Sequence, residues 1–144
     1  MNAQLNGDLL RLLEIKKEML QKLLHTVKNA ADVLKDDDMD AFDQDMEACK
    51  KLMSMIDETG ATAERLKKQI PELQLYPDIA RLESDVEYLL SEIEQARKDC
   101  NNIAEQKLRT YGQQIKAIRG TQKGINGYAS QFQRRDAVFI DAKK

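Results

Sequence analysis

The feature that most constrains the fold of this chain is an apolar stripe that runs from Asp78 to Phe132 with no proline to interrupt it. Ile79, Leu82, Val86, Leu89, Ile93, Ala96, Cys100 and Ile103 recur at steps of three and four, and Leu108, Tyr111, Ile115, Ile118, Ile125 and Phe132 carry the series on. That is the period of an amphipathic helix, whose apolar residues return to one face every three or four positions. Read as one helix, the stretch would span roughly 80 Å at ~1.5 Å per residue. The rest of the chain offers two shorter amphipathic segments, so the far end of the stripe is expected to outrun its cover.

A chain of 144 residues with 33% charged residues, 5% aromatics, no Trp and two prolines suits long helices rather than a sheet. The expected fold is all-α: an antiparallel helical bundle of three long helices, the C-terminal one longest and either continuous or broken near Gly120. The net charge of −2 hides an asymmetry: from Glu105 onward nine Lys/Arg face three acids, Glu105, Asp136 and Asp141, so an acidic body carries a basic tail. Such a split bears on partners without naming their class. Cys49 and Cys100 fall on apolar faces and read as buried reduced thiols rather than a disulfide framework. The opening MNAQLNGD lacks the basic region and apolar run of a signal peptide, and no apolar run approaches the ~20 residues needed to span a bilayer. The expectation is a soluble cytoplasmic protein with no membrane insertion.

Taken in order, the first helix is expected to begin at Asn6 or Asp8, either of which can cap it, and to bury Leu9, Leu13, Leu20, Leu23, Leu24, Val27, Ala30, Ala31 and Leu34. Leu10, Leu12 and Ile15 widen its face, and Lys16 and Lys17 interrupt it. The acidic run Asp36-Asp37-Asp38-Met39-Asp40 suits a tight turn with Asp38 capping the next helix, which makes the first two helices a hairpin. The second helix, from about Met39 to Ile70, carries Phe42, Met46, Cys49, Met53, Ile56, Gly60, Ala63, Leu66 and Ile70 on one face. Gly60 there implies close approach of a neighbouring helix or a kink. Pro71 ends this helix, PELQLYP connects, Leu75 and Tyr76 are expected to fold back onto the bundle end, and Asp78 is expected to cap the third helix. Near Leu108 the stripe slips by one residue, where the covering helices should run out, and Gly112, Gly120, Gly124 and Gly127 weaken the helix beyond that point. The organisation expected is a bundle body over 1–107 and a basic helical tail over 108–144 within one domain.

Little here looks like an enzyme. His25 stands alone, with no second His or nearby Cys to complete a zinc set, and no paired Glu-x-x-His, phosphate loop or nucleophile elbow is present. Asp36, Asp38, Asp40 and Glu47 match the first, third, fifth and twelfth positions of a calcium loop. Ala41 stands where that loop needs Gly, and Phe42 and Met46 already belong to the helical stripe, so a helix is the better reading. Neither metal nor cofactor is expected. Tyr111, Tyr128, Phe132 and Phe139 could stack bases, but the basic residues are spread thinly and Tyr111 and Phe132 fit the stripe, so no nucleic acid is expected.

The leading hairpin, LLEIKKEMLQKLLHTVKNAADVLKDDDMDAFDQDMEACKKLMSMIDE, resembles the flagellar export chaperones of the FlgN/FliT type, and the ending GINGYASQFQRRDAVFIDAKK is similar to tails of that group. The likeness covers most of the chain in layout; Gly60 and the tail glycines depart from it. The resemblance implies a cytoplasmic, non-enzymatic chaperone that holds hook-associated or filament-cap subunits and hands them to the export apparatus. It also implies that the C-terminal helix receives the client, through Leu108, Tyr111, Ile115, Ile118, Ile125, Tyr128 and Phe132. An uncovered apolar stripe is in itself a site for a partner helix. The alternative is a self-associating bundle in which the same stripe is core, folded back after a break near Gly120 or buried in a homodimer.

Overall fold

The structure, a computed structural model, describes residues 2–117. They form an all-α antiparallel bundle: α1 (Asn2–Lys35), α2 (Met39–Lys68), one 3-10 turn (Glu72–Gln74) and α3 (Pro77–Ala117). α1 packs along its length against both α2 and α3, whereas the backbones of α2 and α3 approach each other far less. This explains the broad apolar face of α1. Leu9, Leu13, Leu20, Leu23, Val27, Ala30 and Leu34 form its centre, Met19 and Ala31 are also buried, and Leu10, Leu12, Leu24 and Val33 are half-buried on its flanks. α2 needs one seam, Phe42, Met46, Cys49, Ile56 and Ala63. α3 supplies Ile79, Leu82, Val86, Leu89, Ile93, Ala96, Cys100 and Ala104 at alternating steps of three and four up to Cys100.

The α1–α2 turn is built by the acidic run. Asp38 N–H donates to the Val33 carbonyl at 3.0 Å and Asp37 N–H to the Leu34 carbonyl at 3.1 Å, the paired bonds of a Schellman motif. Asp37 occupies its left-handed position, with φ of 57°. Asp38 then caps α2, its Oδ1 accepting from Ala41 N–H at 3.2 Å.

At the other end of the bundle two expected caps are corrected. α1 starts at Asn2, ahead of Asn6 and Asp8, and Asn6 is a fully buried tie rather than a cap. Its Nδ2 donates to the Asn2 carbonyl at 2.9 Å and the Gln74 carbonyl at 3.0 Å, and its Oδ1 accepts from Tyr76 N–H at 3.0 Å. The side chain satisfies backbone groups of a connector that has few of its own partners, which a capping role would not do. At the start of α3, Pro77 takes the first helical position, where its missing N–H is no loss, and Asp78 lies inside the first turn, paired with Arg81 at 3.1 Å. Leu75 packs half-buried against the cluster of Leu9, Leu13 and Ile79, while Tyr76 stays 41% exposed.

The core is in two parts. Leu9, Leu13, Ala63, Ile70, Ile79 and Leu82 form one cluster at the connector end, and a larger one runs from Met19 to the hairpin tip. Lys16 sits between them, in register with Leu9, Leu13, Leu20 and Leu23 and half-buried. A methyl group on Gly60 would meet Lys16 Nζ at 3.1 Å and Cε at 3.7 Å. Gly60 therefore makes room for a lysine stem, not for a neighbouring backbone, and α2 runs through it unbroken.

Substitution tests both contacts. Gly60→Ala should stabilise the bundle by up to about 1 kcal/mol in urea unfolding, because the lysine end can swing aside and the helix gains propensity; a loss of stability would show that Lys16 is fixed. Asn6→Leu should cost about 1–2 kcal/mol, since it removes the side-chain bonds to the Gln74 carbonyl and the Tyr76 N–H. A change within about 0.5 kcal/mol, typical of a plain surface site, would contradict the tie.

Candidate functional site: the end of the bundle where the third helix overhangs

α3 outlasts the hairpin that covers it. Lys107 lies level with the tip, where its Nζ reaches the Lys35 carbonyl at 3.1 Å and Asp37 Oδ1 at 2.9 Å. One turn on, Tyr111 Oη donates to the same Asp37 Oδ1 at 2.7 Å. α3 then continues to Ala117, about 15 Å beyond Lys107 at ~1.5 Å per residue. Lys35, Asp37, Lys107, Thr110, Tyr111 and Gln114 line a shallow groove at this end.

The slip in the stripe is visible as a change in what is buried. After Cys100 the next buried residue is Ala104, four positions on, and the seam passes through Leu108 and Tyr111, with Ile103 half-buried beside it. Extra steps of four where a heptad alternates three and four unwind the seam from its earlier line. The shift begins at Ala104, one turn ahead of Leu108 where the sequence places it.

Of the candidate partner-binding residues, Leu108 and Tyr111 are half-buried and pack against the larger core cluster, so they close the bundle end as well as lying on the stripe. Ile115 belongs to the last turns of α3. Ile118, Ile125, Tyr128 and Phe132, the break considered at Gly120 and Phe139 lie outside the described residues. The structure brings together two residues that sequence reasoning does not single out, Asp37 and Lys107. Asp37 is legible as part of a turn, and Lys107 as one of several tail cations; their pairing needs the register of α3 on α1.

The other sequence candidates find ordinary places. Asp38 caps α2 while Asp40 and Glu47 lie within it, so the calcium template is spread along a helix. Among the described residues no group of three or more His, Cys, Asp or Glu is placed to hold a metal ion. His25 is exposed on α1. Cys49 and Cys100 are buried free thiols; burial, then the charge of Asp45 and the proximity of Cys100, push Cys49 up to about 12. Among the described residues no helix is long and apolar enough to cross a membrane. Comparison with family models, curated protein sequences and solved structures finds no match.

Electrostatically the tip is held by one carboxylate. The Tyr111 hydroxyl, then the Lys107 ammonium, hold the Asp37 carboxyl below its ordinary value of 3.8, against a smaller opposing effect of burial. A carboxyl depressed on folding stabilises the folded state above its unfolded pKa, and that contribution is lost as pH falls through the folded value. The melting-temperature gap between wild type and Asp37→Asn should therefore hold steady from neutral pH down to about pH 4 and shrink below it. A gap that does not change on acidification would mean that the charge contributes nothing.

Proposed function

We propose that the protein is a non-enzymatic, cytoplasmic binding protein that captures an amphipathic segment of a partner along the far end of its C-terminal stripe. The observation that carries this is the overhang: α3 extends past the hairpin tip with its seam half-covered at Leu108 and Tyr111. The stripe then continues in sequence through Ile115, Ile118, Ile125 and Phe132. A helix that leaves its bundle with an apolar face still unpaired gains free energy when a second helix covers that face, at about 25 cal/mol per Å² buried. Basic residues flank the stripe at Arg109, Lys116, Arg119 and Lys123, which favours a partner with acidic flanks and sets its register more than its affinity. The resemblance of the leading hairpin and the ending to flagellar export chaperones supplies the partner class: a hook-associated or filament-cap subunit, held before delivery to the export apparatus.

A second reading is a self-associating bundle whose stripe pairs with that of another copy. Tyr88 at 66% and Leu90 at 46% exposure on α3 favour it, since both are apolar surface left open among the described residues.

Replacing Ile115 and Ile118 together by Asp separates the readings. The chaperone reading expects loss of hook-associated or cap subunits from a pull-down, with helicity and solution mass unchanged. Undiminished recovery of the subunits would remove the site from this stripe, and a wild-type dimer that the double variant converts to monomer would favour self-association.

A further inference from the structure

We infer that Asp37, Lys107 and Tyr111 form a latch that holds the last turns of α3 on the hairpin tip and can release them while the rest of the bundle stays folded. The residue at the left-handed position of a Schellman motif is ordinarily glycine, because a Cβ there is disfavoured. Here it is Asp37, with φ of 57°. The turn thus accepts a less favourable residue, and the carboxylate that comes with it is the group that reaches α3. Two side chains one helical turn apart, Lys107 and Tyr111, converge on its Oδ1 at 2.9 and 2.7 Å. Lys107 also donates to the Lys35 carbonyl at 3.1 Å, at the end of α1 where carbonyls lack helical partners. The hydrophobic hold beneath these bonds is thin. Among the described residues Ala104 is the last buried one of the seam, and Leu108 and Tyr111 are half-buried. Polar bonds to one carboxylate therefore add to a modest apolar hold at this end.

The consequence is a two-state element at the tip. Latched, Leu108 and Tyr111 face the core; released, both join the stripe that runs toward Ile115, so one more turn of apolar surface is offered to a partner. That last consequence rests on the function proposed above, whereas the latch itself does not. Asp37 side-chain exposure of 50% keeps its bonds in contact with water, which suits a contact that opens and closes rather than a permanent tie.

Hydrogen exchange on the full chain tests the latch without any partner. Amides 104–111 should exchange about threefold to fivefold faster in Asp37→Gly than in wild type, the scale of a solvent-exposed charged contact, and less so in Asp37→Asn, whose Oδ1 still accepts. Tyr111→Phe should give a smaller rise, and Asp37→Gly with Tyr111→Phe no more than Asp37→Gly alone, because both remove the same bond. Amides of α1 near the turn should be unchanged or slower in Asp37→Gly, since glycine relieves the backbone there. Unchanged exchange at 104–111 in Asp37→Gly would overturn the proposal, as would an equal acceleration over all three helices, which would make Asp37 a general stabilising residue. If the latch holds and the Ile115 and Ile118 double variant still recovers its partner, the proposed function fails and the latch stands.

Discussion

The fold depends on α1 being buried from two sides. α2 and α3 lie against it but approach each other little, so the bundle is better described as two helix pairs that share one member. The shared helix must be apolar over a wide arc, which is why Met19, Ala31 and the half-buried Leu10, Leu12, Leu24 and Val33 accompany its central seam. It must also fix the height of α3 without much help from α2. Polar ties from α1 and its turn do this at three levels: Asn6 to Gln74 and Tyr76, Lys17 to Asp85, and Lys35 and Asp37 to Lys107 and Tyr111. The tied residues are separated by 68 to 74 residues in sequence at every level, so they express one parallel register between α1 and α3. The Lys67–Glu83 pair at 2.7 Å adds a bridge from α2. Its exposed charges contribute little by themselves.

The polar exceptions inside this arrangement have separate physical reasons. Lys16 takes a core register position and splits the hydrophobic cluster, with Gly60 opposite giving its stem room. A polar residue at one seam position lowers stability but penalises sliding of the helices, because a shift would press the ammonium into apolar neighbours. Asn6 is fully buried and has its amide group matched on both atoms, so it restrains the connector without leaving an unpaired group.

Most of the architecture is legible in the sequence because it rests on periodicity. The stripes as far as Tyr111, the acidic turn and the cap at Asp38 are local properties and lie where their residues put them, and α2 stops at Lys68, just ahead of Pro71. The illegible part depends on contacts between distant segments. Asn6 has the composition of a cap, and nothing near it in sequence reveals that residues 74–76 come to rest against it. Gly60 reads as a site of helix approach, and only the packing of α1 on α2 puts Lys16 across from it. Asp37 and Lys107 do not stand out singly, since turns are often acidic and tails often basic; the register of α3 on α1 joins them. The slip near Leu108 is legible as a change of spacing, and its meaning, that the seam turns as cover ends, needs the helix lengths.

The proposed function requires that fold and stripe be separable. Among the described residues the larger core cluster ends on α3 at Tyr111, where Lys107 and Tyr111 bond to the hairpin tip. A partner would then add a helix to an otherwise finished body, and the loss of the stripe would leave that body intact. Urea unfolding of a chain ended after Ala117, compared with the full chain, tests this most directly. The account predicts the same unfolding free energy within about 0.5 kcal/mol, with an m-value that does not fall, because the slope follows the surface exposed on unfolding. A loss of about 2 kcal/mol or more together with a lower m-value would show that residues 118–144 are buried core, and would contradict it.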